Sequence, residues 1–305
     1  MIGKSLKRVD ADSKVKGETQ FLSDMKFDDV LHAAPVYSNI PFGKILSIDI
    51  SNAKSSPEFI SFISAIDIPG ENQVGVIIQD QLLFATDTVR YVGDSIGMII
   101  GSNRQAALKL AKAVSISYEE YDPVFSIEDS ENQKKHTLHE SNIACQHQVV
   151  KGDLEMGFQK ADRIIEAGFT TPTQEHYYLE PQACVVFPEE NGRIKILGSL
   201  QCPHYVQKAV SRVIGIPQEN VEVEQTPTGG AFGGKEDIPS ELCARAAVAA
   251  VKLGQPVSLI YDRSDDIQLT SKRHPFKMKY RYGINADGVI TAAEIDLKEN
   301  SGAYA

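Results

Sequence analysis

Residues 229–236, Gly-Gly-Ala-Phe-Gly-Gly-Lys-Glu, constrain this chain more than any other stretch. Four glycines in six positions leave a backbone that can reach positive φ and bring uncovered N–H groups against a neighbour. Val221–Val223 before it alternates like the end of a strand, and Pro239–Leu253 after it reads as an Ala-rich helix with Pro near its start. Strand, glycine loop and helix in that order form the usual cradle for an anion, because loop amides and a helix N-terminus both offer partial positive charge. A glycine-rich turn that binds nothing fits the same pattern. Gly229, Gly234 and Lys235 also satisfy G-x-x-x-x-G-K. A P-loop, however, continues with a Ser or Thr whose hydroxyl reaches Mg²⁺, and Glu236 stands there instead. A carboxylate beside phosphates repels them, so the loop points to some other anionic cofactor.

The 305 residues leave room for two domains. A formal net charge of −10 argues against a nucleic-acid or anionic-membrane surface. No apolar run reaches the length of a membrane span. The N-terminal Met-Ile-Gly-Lys-Ser-Leu-Lys-Arg lacks the apolar core of a secretory signal. Cys145, Cys184, Cys202 and Cys243 form no C-x-x-C pair, so neither a zinc knuckle nor an iron–sulfur site is expected. The cytoplasm is the simplest compartment.

Residues 1–20 are polar and Lys-rich and read as an extended arm. Short β-like runs then follow at Val30–Tyr37, Phe42–Ile50, Val74–Ile78, Leu82–Phe84, Val89–Tyr91 and Ile96–Ile100. Asn103 is placed to cap a helix from Arg104 to about Val114, and Ile116–Glu119 closes this α/β region. Residues 126–148 turn polar, as a linker does. Their His136 and His139 lack a third partner and read as solvated rather than as metal ligands. Beyond them, Ile164, Ile165 and Phe169 alternate. Val185–Phe187 and Ile194–Leu197 flank Asn191-Gly192, a hairpin signal. Pro203 opens a helix ending at Gly215, Val257–Tyr261 is a further strand, and a second hairpin turns at Asn285–Gly288.

Polar groups gather at 173–181, at 198–203 and in the glycine loop. Gln201 sits at a strand-to-helix junction, where it can cap the helix or donate to an anion. Glu175, His176 and Glu180 offer acid and base groups within six positions, or a structural carboxylate pair with a bonded His. Arg273-His274-Pro275 reads equally as an anion clamp or as a solvated junction.

Four segments, taken in order, resemble landmarks of the molybdenum hydroxylases, the family of xanthine dehydrogenases, aldehyde oxidases and their bacterial relatives. They are His176-Tyr177-Tyr178-Leu179-Glu180-Pro181, Gly198-Ser199-Leu200-Gln201, Gly229–Glu236 and Arg273-His274-Pro275. The resemblance implies an α+β chain. An α/β hammerhead domain at 21–125 follows the arm, and after the 126–148 linker comes the first part of a mixed α/β molybdopterin-binding domain at 149–305. It implies that the amide of Gln201 bonds an oxygen ligand of molybdenum, in the metal's outer shell. It also implies that the backbone at Gly230, Phe232 and Gly233 lies beside the pterin cofactor. Glu236 would enter the substrate pocket and bond a heterocycle, which makes Gln201 and Glu236 the residues expected to serve catalysis and favours a purine.

The implied reaction hydroxylates an electron-poor carbon with oxygen from water. Electrons leave through [2Fe–2S] clusters to FAD, both held by partner subunits. The implied base, a Glu, lies beyond residue 305. The chain ends at Gly302-Ala303-Tyr304-Ala305 without a polar tail, and is expected to be inactive without the C-terminal remainder of its subunit. Two alternatives are carried: a non-catalytic assembly fragment, and a hydroxylase of aldehydes or of other N-heterocycles.

Overall fold

The apolar runs of the sequence assemble mainly into one large sheet. A computed structural model describes residues 2–75, 78–132 and 141–304. Its first elements are α1 (Ala11–Lys16), β1 (Leu31–Tyr37), β2 (Gly43–Asp49), α2 (Ser51–Lys54), β3 (Phe59–Ser64), β4 (Thr88–Val89), β5 (Ser95–Gly101), α3 (Arg104–Ala111) and β6 (Ser115–Glu120). Next come α4 (Ile127–Asn132), α5 (Leu154–Gln159), β7 (Arg163–Thr171), β8 (Ala183–Pro188), β9 (Ile194–Gly198), α6 (Pro203–Ile214) and β10 (Val221–Gln225). The last are α7 (Ile238–Leu253), β11 (Val257–Ile260), α8 (Arg263–Leu269), β12 (Phe276–Ile284) and β13 (Ile290–Glu299). Packing divides them into two units, Met1–Tyr121 with His176–Ser271, and Asp122–Glu175 with Lys272–Ala305.

In the first unit seven strands run in the order β10-β9-β8-β11-β1-β5-β3. The β1–β11 pairing is parallel, with Leu31 opposite Val257, and it joins early and late sequence in one sheet. A smaller antiparallel sheet, β4-β2-β6, completes the unit's strands. The main core lies under α6 and α7, where Val206, Val210 and Val213 meet Leu242, Ala246 and Ala249. Every residue of α7 from Ile238 to Ala250 is buried, because its run of alanines lets the helix sit close against its neighbours. One polar pair is carried inside that helix. Arg245 Nη2 donates to Glu241 Oε2 at 2.8 Å, Gln81 Nε2 donates to Glu241 Oε1 at 2.8 Å, and Arg245 Nη1 donates to Tyr261 Oη at 3.1 Å.

The second unit is built on β13-β12-β7, antiparallel throughout. Helix α5 rests on it so closely that a Cβ on Gly157 would lie 2.5 Å from the Thr291 carbonyl oxygen. Asn285 Oδ1 accepts from the Asp287 and Val289 N–H groups and shapes the turn expected at 285–288.

Several local expectations change. The N-terminal stretch, expected to be extended, contains α1, whose end is set by Gly17 at φ 71°. Leu82–Phe84 forms no strand. Asn72 does a neighbouring strand's work there: its Nδ2 donates to Phe84 O at 2.8 Å and its Oδ1 accepts from Phe84 N at 3.0 Å. β4 stops at Val89 rather than Tyr91. The polar stretch after residue 126 contains α4. The rest of that stretch from 133 to 140, with His136 and His139, lies outside the described residues, as does the centre of the Val74–Ile78 run. Strand β3 and helices α5 and α8 were not expected. For α8 the signal was present, since Asp262 Oδ1 accepts from Asp265 N at 2.8 Å in an ordinary N-cap.

Burial raises the pKa of Glu241, while Arg245 opposes that rise. An Arg245→Met protein should therefore lose about 3–5 kcal/mol of stability in urea unfolding near neutral pH, from the uncompensated buried carboxylate. A raised folded-state pKa means that protonation favours the folded form. The deficit should shrink as the pH falls through the folded pKa of Glu241, and a deficit that does not change with pH would contradict this assignment.

Candidate functional site

The glycine loop runs from the end of β10 into α7, and the segment 176–182 lies directly beneath it. Contact is tight along its length. A Cβ on Gly229 would come within 2.6 Å of Glu180 Cβ, and one on Gly234 within 2.6 Å of Tyr178 Cε1 and 2.8 Å of His176 Cγ. Glycine at 234 is therefore a matter of space rather than of turn geometry. Phe232 has φ 54°, in the left-handed region, and its side chain is 79% exposed. Tyr177, below it in the chain, has φ 52°. Non-glycine residues in this region carry roughly 1–3 kcal/mol of strain each and persist only where their surroundings hold them.

Two buried networks do the holding. Glu180 Oε2 accepts from Gly229 N at 2.7 Å, from Ser199 Oγ at 2.6 Å and from Lys235 Nζ at 3.0 Å. The Lys235 ammonium also donates to Ser199 Oγ at 2.9 Å and stands 4.8 Å from the Tyr178 ring centroid. It is fully buried. Burial pushes its pKa down, and the Glu180 carboxylate pushes it back up. This lysine points into the protein, which removes the phosphate-binding role that G-x-x-x-x-G-K assigns to it. In the second network Gln182 Nε2 donates to Gly234 O at 2.7 Å and to Tyr178 Oη at 2.7 Å. Tyr178 Oη donates to Asp266 Oδ1 at 3.0 Å, and Arg263 reaches Asp266, Tyr178 O and Leu179 O.

Gln201 joins the loop from the β9–α6 junction. Its N–H donates to Lys235 O at 2.7 Å, and its Oε1 accepts from Lys235 N at 3.2 Å. It does not cap α6, which starts at Pro203 after Cys202. Its Nε2 has no hydrogen-bond partner among the described residues, and neither do the N–H groups of Gly230, Ala231, Phe232 and Gly233. Glu236 ends the loop as an exposed residue, its carboxylate unbonded among the described residues. The loop thus bonds to Glu180, Gln182 and Gln201, and its four amides at 230–233 remain available.

The other polar candidates are distributed differently. Glu175 belongs to the second unit, where it pairs with Lys272 at 2.7 Å. Arg273 pairs its backbone with Gln174 there, and His274 Nδ1 lies 2.6 Å from Glu299 Oε1. Gln182, Asp266 and Arg263 were not singled out from sequence, and Ser199 entered only as a member of the Gly198–Gln201 segment. Only the Asp262 cap of α8, which positions Arg263 and Asp266, was legible in advance.

Two family models match successive parts of the chain. Residues 16–122 match the a/b hammerhead domain of aldehyde oxidase and xanthine dehydrogenase, and residues 135–305 match a molybdopterin cofactor-binding domain. The chain belongs to the molybdenum hydroxylases. Within that family it is 38% identical over 305 residues to a xanthine dehydrogenase of Oryza sativa subsp. japonica, covering 99% of this chain and 22% of the plant protein. It is 30% identical over 306 residues to the nicotinate dehydrogenase large molybdopterin subunit of Eubacterium barkeri, covering 100% of this chain and 72% of that subunit. The aldehyde oxidoreductase of Desulfovibrio gigas superposes with a TM-score of 0.90 at 26% identity, over 96% of this chain and 34% of that one. The α+β architecture expected from the resemblance agrees with these matches. Among the described residues, no helix is long and apolar enough to cross a membrane.

A Gly234→Ala protein should lose about 1–3 kcal/mol, the usual cost of overpacking a filled site. Gly168→Ala, whose nearest neighbour would stand 3.7 Å away, should stay within about 0.5 kcal/mol of the parent. Urea unfolding of the two variants checks the pair, and equal losses would mean that the contact beneath Gly234 is not filled.

Proposed function

We propose that this chain is the N-terminal part of the molybdenum-binding subunit of a xanthine dehydrogenase-like hydroxylase that oxidises an N-heterocycle, a purine by preference. The observation that carries this reading is the set of four adjacent unbonded amides, 230–233, beside the unbonded Nε2 of Gln201. Such donors suit an anionic cofactor that brings its own ligands for the metal. The side chains around them also argue for that kind of group, since no three His, Cys, Asp or Glu residues come together to hold a metal among the described residues.

When bound, the molybdenum–molybdopterin group would supply Lewis-acid and redox chemistry. The chain's own part is orientation. Gln201 Nε2 would donate to an oxygen ligand of the metal, in its outer shell, while its Oε1 stays on Lys235 N. The backbone of Gly230, Phe232 and Gly233 would line the cofactor. Glu236, exposed and without a partner among the described residues, accepts a ring N–H of the substrate. Higher identity to xanthine dehydrogenase than to nicotinate dehydrogenase supports the purine.

The chain spans a minor share of its plant relative's length. We infer that the general base and further cofactor contacts come from a companion segment of the molybdenum subunit, that iron–sulfur and FAD subunits carry the electrons away, and that the chain is inactive alone. The assembly works in the cytoplasm.

Assembled with that companion, the protein should hold molybdenum and pterin by metal and cofactor analysis. An assembled protein holding neither overturns the reading. Gln201→Ala should lower turnover about 10–100-fold, as loss of an outer-shell partner does. Glu236→Ala should lower purine kcat/KM about 10–100-fold, the worth of one hydrogen bond to a charged group, and leave aldehyde turnover unchanged. Equal losses on both substrates would remove Glu236 from purine recognition.

A further inference from the structure

The geometry points to Glu180 and Lys235 as positioning residues that close the glycine loop into a rigid ring, with its bare amides facing an anionic cofactor. This rests on the reading of the loop given above and goes beyond it in naming what holds the loop ready. The loop's first residue and its seventh are tied to one atom. Glu180 Oε2 is 2.7 Å from the N–H of Gly229 and 3.0 Å from Nζ of Lys235. Glu180 also returns its own N–H to Gly229 O at 3.1 Å. Ser199 bridges the carboxylate and the ammonium, and Gln201 grips the Lys235 main chain from both sides. Entry and exit are thereby fixed relative to each other, and the N–H groups of 230–233 can stay unbonded without the loop fluttering.

Charge is arranged to suit this task. A lone buried carboxylate under the loop would repel an anion above it, and a lone ammonium would be costly to bury. Paired at 3.0 Å, the two leave the loop's outward partial charges to the amides. The pair also explains why a lysine is found at 235 without reaching any ligand. A neutral replacement of a buried ion pair is often tolerated in stability, so order in the loop can be separated from folding.

The test uses the assembled enzyme carrying Glu180→Gln together with Lys235→Met. Stripped of cofactor, its unfolding midpoint should stay close to the stripped parent's, while molybdenum and pterin per folded protein in the assembled enzyme fall about tenfold or more, the usual effect of removing an outer-shell support. In cofactor-stripped protein, the bonded amides of Gly229, Gly234 and Lys235 should exchange with deuterium faster than in the stripped parent. Ser199→Ala, which keeps both charges, should shift both readouts in the same direction, with cofactor content down about fivefold. It supplies the answer if the double variant does not fold. Parental cofactor content together with parental exchange overturns the proposal. A parent enzyme that itself lacks molybdenum and pterin overturns the reading it rests on instead.

Discussion

A single carboxylate oxygen, Glu180 Oε2, receives the backbone of the glycine loop, the hydroxyl at the end of β9 and a fully buried ammonium. Three separate pieces of chain meet at that atom: the 176–182 segment, the β9–α6 junction and the loop leading into α7. In a site closed to water each of these bonds is stronger than it would be at the surface, and each would be costly to leave unmade. The contact therefore fixes the loop relative to the sheet, and the position of Gln201 follows through its two bonds to Lys235.

Strain is concentrated in the same place. Phe232 and Tyr177 both adopt left-handed backbone conformations, and Gly234 lies against rings that leave no room for a Cβ. Such features survive only on a stiff support. The seven-stranded sheet and the wholly buried run of α7 supply it. Both ends of the loop are bonded to the protein beneath, and the N–H groups of residues 230–233 are unbonded among the described residues. A chain built this way presents donors without having to organise them at the moment of binding, which is how a protein contributes to chemistry that a cofactor performs.

Much of this was legible in the residues themselves. The four glycines before Lys235 announced close backbone approach, and Asn191-Gly192 and Asn285–Gly288 announced their hairpins. The direction of Lys235 was not legible, because the sequence places it where a phosphate-binding lysine would stand. Only its distant partners, Glu180 and Ser199, turn it inward. Leu82–Phe84 misled for a related reason: its short apolar run fits a strand, but the backbone bonds of Phe84 are made by the side chain of Asn72. Long-range partners decide such positions, and local pattern does not carry them. Glu175 and Glu180, five residues apart, fall in different units for the same reason.

The central claim is that the bare amides of the loop, with the unbonded Nε2 of Gln201, form one wall of a molybdenum cofactor site. The most direct measurement is an anomalous difference map, collected at the molybdenum absorption edge on crystals of the assembled enzyme. The account predicts one strong peak per molybdenum subunit beside the Gln201 side chain and the Phe232–Gly233 backbone. A peak elsewhere in a fully loaded enzyme, with the 230–233 amides facing solvent, would contradict it.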